Sequence, residues 1–191
     1  MKKTESIKQL SVGAVLTALV VILQLLGSFI RFGPFSISLV LVPIVLGAAL
    51  CNAYIGAWLG FVFGITVLLS GDAAAFFVVS PIGTVITVLV KGVLCGLAAG
   101  LVYKAIKSAS KYLAVFLAAI ICPVVNTGVF LLGCKLFFME TITQWGFGLG
   151  FSNVGRYMIF GLAGGNFLFE ICANVLLAPV ILRVLNIFKK N

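Results

Sequence analysis

Two ionisable side chains interrupt long apolar runs, Lys91 in one run and Glu170 in another. Near the centre of a bilayer such a side chain costs about 2.5–3.5 kcal/mol on insertion scales, so it marks a partner or a function. Three kinds of chemistry are open to this pair: a buried ion pair, the lining of a polar pocket for a solute, or a proton or ion relay. The ion pair and the pocket are equally favoured and compatible with each other, whereas one acid and one base make a poor relay.

Each of these two residues lies in a row of polar side chains. Spacings of three or four residues place side chains on one helix face, and the rows are Ser80, Thr84, Thr87 and Lys91 in one run and Asn166, Glu170 and Asn174 in the other. A third apolar run is interrupted by Pro123 and Asn126. Proline frees a backbone carbonyl, which needs a partner inside a membrane. Polar groups are therefore predicted on three helices.

The residue types that most enzymes and metal sites need are scarce. The chain has no histidine and only four acidic residues, so neither a Ser–His pair nor a multi-carboxylate metal site is predicted. Its five cysteines show no C-x-x-C spacing, and no G-x-x-x-x-G-K-[ST] phosphate-binding loop occurs. We predict no catalytic residue, no metal, no cofactor and no ATPase activity, so energy for active transport would come from a partner or an ion gradient.

The elements that carry these residues are predicted to be membrane helices. The 191 residues are 63% hydrophobic and 9% charged, and a helical span needs roughly 20 apolar residues. The apolar segments predict an all-α bundle of six transmembrane helices in a single integral membrane domain, 1–191, with helices at about 9–29, 37–52, 54–70, 82–103, 112–133 and 161–185. Breaks are predicted at 31–34, Gly71-Asp72, Ser80-Pro81 and over the long stretch 134–160.

Basic residues set the predicted orientation. With the N-terminus inside, nine Lys and Arg residues lie on inner segments and three on outer loops, while Lys91 lies within a span. This bias follows the positive-inside rule and predicts that both termini are cytoplasmic. The predicted location is the cell membrane, with several spans. The net charge of +9 is explained by these flanking residues, so no nucleic-acid partner is predicted.

Depth brings the polar rows together. At about 1.5 Å per residue, Lys91 and Glu170 lie about 13 Å below the outer ends of their helices, and Asn126 lies about 10 Å below. Converging faces would form a polar pocket that opens outward. Rows of glycine at four-residue spacing, Gly56, Gly60 and Gly64, and Gly92, Gly96 and Gly100, predict close helix packing within the bundle.

The outer loops supply further candidates. The segment 140–160 combines Trp145 and other aromatic residues with glycines, which suits either a lid over a solute or an interfacial aromatic belt. Residues 71–77, which include Asp72, are a second candidate lid, and Arg31 and Arg156 could meet an anionic group or be simply exposed. The candidate solute-binding residues are Arg31, Asp72, Thr84, Thr87, Lys91, Asn126, Trp145, Arg156, Asn166, Glu170 and Asn174.

The order of several motifs resembles the substrate-binding S components of energy-coupling factor (ECF) vitamin transporters. The motifs are Ala14-x-x-x-Ala18, the run 36–47 with Pro43, the Gly56-x-x-x-Gly60-x-x-x-Gly64 row, Gly71-Asp72 and Pro81-x-Gly83-Thr84. Together they cover nearly the whole chain. Asn52-Ala53 departs from the family, in which Gly-Pro is often found at this turn.

The resemblance implies a transport subunit rather than an enzyme. Such subunits bind a vitamin or similar micronutrient with high affinity under the outer loops. They dock on a transmembrane coupling subunit that is driven by two cytoplasmic ATPase subunits, and then topple in the membrane to release the solute. The Ala-x-x-x-Ala face of the first helix mediates docking, which maps here to Ala14 and Ala18.

The solute and two other functions stay open. The second to fourth helices look most similar to pantothenate-type members, and a small hydroxylated carboxylate amide suits several asparagines and one basic side chain, whereas riboflavin would favour the aromatic loop. Folate and other micronutrients are further candidates. The alternatives from other classes are a secondary transporter driven by an ion gradient and a membrane assembly subunit without a ligand.

Overall fold

The computed structural model describes the backbone of residues 2–29, 31–32, 35–36 and 39–190, and the side chains of 7–29 and 39–188. Almost all of this chain is helical. The elements in chain order are α1 (Lys2–Ser28), β1 (Arg31–Phe32), β2 (Phe35–Ser36), α2 (Leu41–Leu50), α3 (Ala53–Ser70), α4 (Ala74–Val79), α5 (Pro81–Ile106), α6 (Lys111–Phe137), α7 (Met139–Gly148), α8 (Val154–Arg156), a π-helix (Tyr157–Gly164) and α9 (Gly165–Lys190). The two short strands pair antiparallel.

Five segments of the described chain are long and apolar enough to cross a membrane: Ile7–Ser28, Ala53–Ser70, Pro81–Ile106, Lys111–Phe137 and Val154–Phe188. The prediction of membrane helices is confirmed for these five by their length and composition. The count of six spans and the cytoplasmic position of both termini stay predictions.

The second predicted helix, 37–52, is wrong in its bounds. The helix α2 runs only from Leu41 to Leu50, and at about 1.5 Å per residue its ten residues extend about 15 Å, half of a hydrocarbon core of about 30 Å. Ile37 and Ser38 lie outside the described residues. The helix is apolar because it is buried by protein: Leu41, Ile44 and Val45 are fully covered.

Side-chain caps start three of the long helices. Asn52, Ser80 and Ser110 each have extended backbone angles and accept a hydrogen bond from the N–H three residues on. These caps satisfy N–H groups that have no partner within the helix. At the end of α3, Gly71 has φ 79°, a left-handed conformation that glycine adopts without strain. The predicted breaks at Gly71-Asp72 and Ser80-Pro81 are thereby confirmed.

The stretch 134–160, predicted as one long break, is mostly helical. Helix α6 continues through Cys134 to Phe137, and α7 and α8 follow. Aromatic packing explains this order, because Phe138, Ile142 and Tyr157 are buried in a small apolar cluster with Phe76 of α4. The last long helix begins earlier than the predicted residue 161, since the π-helix starts at Tyr157.

Helices α3 and α5 pack through their glycine rows. A Cβ atom on Gly60 would collide with the backbone of Gly92, and one on Gly56 would collide with the backbone of Gly96. Only hydrogen side chains permit this approach, in which van der Waals contact holds the helices together. The prediction that the rows serve packing within the bundle is confirmed.

Candidate functional site

A cavity of about 90 Å³ lies at one end of the bundle. Helices α1, α3 and α6 contribute residues near their C-terminal ends, while α5 and α9 contribute residues near their N-terminal ends. Residues of α4, of the segment that joins α3 to α4 and of the π-helix, together with Phe138, complete the lining. This end is the one that the charge pattern predicts to be outer.

The polar rows of the sequence meet at this cavity. Seven of the predicted solute-binding residues line it: Asp72, Thr84, Thr87, Lys91, Asn126, Asn166 and Glu170. They come from the α3–α4 connection, α5, α6 and α9. The polar rows of three helices therefore contribute to one cavity in the structure.

Glu170 is the centre of a hydrogen-bond cluster. Its side chain is 1% exposed, and its two carboxylate oxygens accept from two different amides. Asn126 Nδ2 donates to Oε2 at 3.3 Å, and Asn166 Nδ2 donates to Oε1 at 3.1 Å. The buried carboxylate is thus stabilised by two neutral donors.

Lys91 faces aromatic rings instead of a carboxylate. Its Nζ lies 5.3 Å from the ring centroid of Phe63 and 5.5 Å from that of Phe130, distances at which a cation–π attraction acts. Within the described part of the chain, Lys91 Nζ donates no hydrogen bond and forms no ion pair with Glu170 within 4.0 Å. The ammonium group therefore retains donors for another molecule.

Several residues that line the cavity carry a buried polar atom with no hydrogen-bond partner among the described residues. The atoms are Thr87 Oγ1, Asn126 Oδ1 and Asn166 Oδ1. Most buried polar atoms in proteins are paired, because an unpaired one costs about 1–3 kcal/mol. Their clustering at one cavity indicates a place where a polar molecule binds.

Several packed aromatic rings lie at the cavity. The ring of Phe76, which lines the cavity, packs edge to face against Phe130, Phe138 and Trp145, with centroid distances of 5.6, 5.1 and 5.5 Å. Trp145 is therefore placed behind Phe76 and does not itself line the cavity. The two segments predicted as lids, 71–77 and 140–160, contact each other through the rings of Phe76 and Trp145.

Besides Trp145, two predicted residues of the described part, Arg156 and Asn174, do not line the cavity. The side chain of Arg31 lies outside the described residues, and Arg156 is exposed at the end of α8. Asn174 is buried one turn beyond Glu170, where its Nδ2 donates to the backbone carbonyl of Glu170 at 2.8 Å. Its side chain supports the helix rather than the cavity wall.

Two polar lining residues, Gln24 and Thr127, are absent from the sequence predictions. Gln24 Nε2 donates to Asp72 Oδ2 at 2.6 Å, which ties α1 to the segment that follows α3. Its signal in the sequence is a lone amide within the apolar run of the first helix, since buried polar residues in a span are costly. Thr127 follows Asn126 and carries no comparable signal.

The two small residues predicted for docking lie elsewhere. Ala14 and Ala18 are exposed on α1, in contrast to the buried glycine rows. Between them, Thr17 Oγ1 accepts a hydrogen bond from Trp58 Nε1 at 3.2 Å, so α3 covers the neighbouring face of α1 and leaves the two alanines uncovered.

A second cavity, of about 480 Å³, lies at the opposite end of the bundle. Most of its lining is apolar or small, with Tyr103, Lys104 and Lys107 among the polar residues. Its one buried polar atom without a partner among the described residues is the Tyr103 hydroxyl. The smaller cavity has three such atoms together with Lys91 and Glu170, and it is therefore the stronger candidate for a solute site.

Comparison with known proteins agrees with this architecture. A family model described as "ECF transporter, substrate-specific component" matches residues 8–182, which is most of the chain. No curated protein matches the chain significantly. The match spans every helix that lines the cavity, and the chain belongs to the family of substrate-specific components of ECF transporters.

Proposed function

We propose that the cavity at the predicted outer end is the solute site of this transport subunit, and that its solute is a small vitamin-like molecule with a carboxylate. Pantothenate is the leading candidate. One observation carries the proposal. The residues that line this cavity include an available cation, Lys91, and three residues with unpartnered oxygens: Thr87, Asn126 and Asn166. A carboxylate would accept from Lys91 Nζ, and hydroxyl groups would face the oxygens.

The size of the cavity supports a small solute. A volume of about 90 Å³ holds several water molecules, given that one water needs at least about 10–15 Å³. Phe63, Phe76, Phe130 and Phe138 supply apolar surface for a branched alkyl group. A three-ring flavin is larger and more rigid than pantothenate, so a cavity of this volume favours pantothenate over riboflavin.

Calorimetric titration of the purified protein in detergent tests the proposal. The panel contains pantothenate, riboflavin, folate and thiamine, and ligand-free protein is confirmed beforehand by mass spectrometry of a denatured sample. One saturable response to pantothenate, stoichiometric with protein, is expected. Saturable binding of a different vitamin would refute the choice of solute, and silence across the panel from folded protein would refute the site.

Energy for uptake is proposed to come from partners. The chain has no phosphate-binding loop of the G-x-x-x-x-G-K-[ST] type, so ATP hydrolysis would be supplied by two cytoplasmic ATPase subunits through a transmembrane coupling subunit. The exposed pair Ala14 and Ala18 is the proposed docking face in the cell membrane, because small residues allow another helix to approach closely.

Ala14→Trp separates docking from binding. The indole would hold a partner helix away from α1, so solute uptake in cells that express the full transporter should fall to background. Pantothenate binding by the isolated subunit should stay within about twofold, because Ala14 lies on α1 far from Gln24, the residue of α1 that lines the cavity. Leu176→Trp is the matched control, since Leu176 is 76% exposed on α9. Equal loss of binding and uptake in Ala14→Trp would contradict the docking role.

A further inference from the structure

The hydrogen bonds of Glu170 determine which end of each of two asparagine amides is left without a partner. A carboxylate only accepts hydrogen bonds, whereas an amide has a donor end and an acceptor end. Because Asn126 and Asn166 both donate their Nδ2 to Glu170, the amide oxygens are directed away from it. The reverse orientation would place two acceptors against each other.

The two oxygens have no other role among the described residues. Asn126 Oδ1 and Asn166 Oδ1 are buried and accept no hydrogen bond, and both residues line the cavity. Asn126 belongs to α6 and Asn166 to α9. Glu170 therefore fixes the amide orientation of two cavity-lining asparagines on two different helices, with both oxygens left unpartnered.

Lys91 supplies a hydrogen-bond donor where the asparagines supply acceptors. Its ammonium group is a donor without an acceptor among the described side chains, and it reaches the cavity from α5. The lining thus offers a cationic donor from one helix and two neutral acceptors from two others.

We infer that Glu170 is a positioning residue, which orients the amides of Asn126 and Asn166 so that they select the solute. The solute both accepts and donates hydrogen bonds. It carries an anionic acceptor for Lys91 and at least one hydroxyl donor for Asn126 or Asn166. This inference rests on the proposed function and narrows it: a carboxylate without hydroxyl groups would leave asparagine oxygens unpaired and is rejected, because unpaired buried polar groups are the main source of such discrimination.

Three probes test the inference by calorimetry. Pantothenate has both a carboxylate and hydroxyl donors. N-(3,3-dimethylbutanoyl)-β-alanine keeps the carboxylate and the amide but lacks both hydroxyls, and panthenol keeps the hydroxyls but replaces the carboxylate. In the wild-type protein, removal of either feature should weaken binding by at least about tenfold.

Variants assign the hydroxyl preference to the asparagines. Asn126→Leu and Asn166→Leu each remove one acceptor, so in at least one of them the ratio of affinities for pantothenate and its hydroxyl-free analogue should fall below about threefold, a non-additive result that direct contact requires. In Glu170→Gln the new amide both donates and accepts, so the fixed orientation is lost and the same ratio should fall. Asn174→Leu is the matched control. Asn174 Nδ2 donates to the backbone carbonyl of Glu170, but the residue does not line the cavity, so the affinity ratio should be unchanged.

The outcomes separate this inference from the proposed function. Saturable binding of pantothenate with equal affinity for its hydroxyl-free analogue would overturn the inference and leave the solute site intact. A ratio that stays unchanged in folded Asn126→Leu, Asn166→Leu and Glu170→Gln would also overturn it. Saturable binding of folate, the panel solute without an alcohol hydroxyl, would do the same, and absence of binding by every solute would overturn both.

Discussion

Helices α3 and α5 build two different regions along one contact. Toward the predicted inner side, Gly56 and Gly60 of α3 meet Gly96 and Gly92 of α5 so closely that a Cβ would not fit. Toward the predicted outer side, Phe63 of α3 and the α5 residues Thr84, Thr87 and Lys91 line the cavity. The difference teaches that small residues bring the two backbones together, whereas larger polar and aromatic side chains of the same helices line a cavity shared with α6 and α9.

The largest effect is expected in the glycine contact. Gly60→Ala would force the helices apart, because its Cβ collides with the Gly92 backbone, and overpacking of this kind costs about 1–3 kcal/mol or more. The unfolding temperature in detergent should fall clearly. Gly128→Ala is the control, since a Cβ there has no atom within 4 Å. Equal unfolding temperatures for the two variants would contradict the tight contact.

The next effect is expected in the cavity and concerns binding instead of folding. Lys91→Met removes the cation that would meet a carboxylate, so pantothenate affinity should fall by about 10- to 100-fold, the range for a hydrogen bond to a charged group. The unfolding temperature should not fall, because a charge within the membrane is itself costly. Lys104→Met, at the other end of α5, should leave the affinity unchanged. An unaltered dissociation constant for Lys91→Met would exclude Lys91 from the site.

The smallest effect is expected where the two kinds of region meet. Gly133 of α6 makes room for the side chain of Thr87, since a Cβ on Gly133 would collide with it. Gly133→Ala should displace Thr87 at the cavity wall and weaken pantothenate binding by roughly three- to tenfold, with a modest loss of stability. Titration beside Gly128→Ala checks this. Undiminished affinity with a lower unfolding temperature would show that Gly133 serves packing alone.

Periodicity and composition were sufficient to predict the long helices and much of the candidate site. Thr84, Thr87 and Lys91 share a face because helical spacing requires it, and charged groups in apolar runs are rare enough to mark Lys91 and Glu170. Depth along each helix then brought Asn126 to the same level. These inferences use only local geometry and the cost of burial.

Other features depend on tertiary contacts that spacing does not encode. A continuous apolar run does not distinguish a membrane span from a short helix buried by protein, so the length of α2 was predicted wrongly. Gln24 and Asp72 bond across 48 positions of the chain, and Trp145 packs behind Phe76 instead of facing the cavity. The orientation of the Asn126 and Asn166 amides follows from their shared carboxylate, which only the assembled helices bring together.

A crystal structure of the protein with saturating pantothenate tests the central claim most directly. The account predicts density for the solute in the cavity between α3, α5, α6 and α9, with its carboxylate at Lys91 Nζ and a hydroxyl within hydrogen-bond distance of Asn126 Oδ1 or Asn166 Oδ1. Density in the cavity that contains Tyr103 and Lys104, or a cavity at Lys91 that stays without solute, would contradict it.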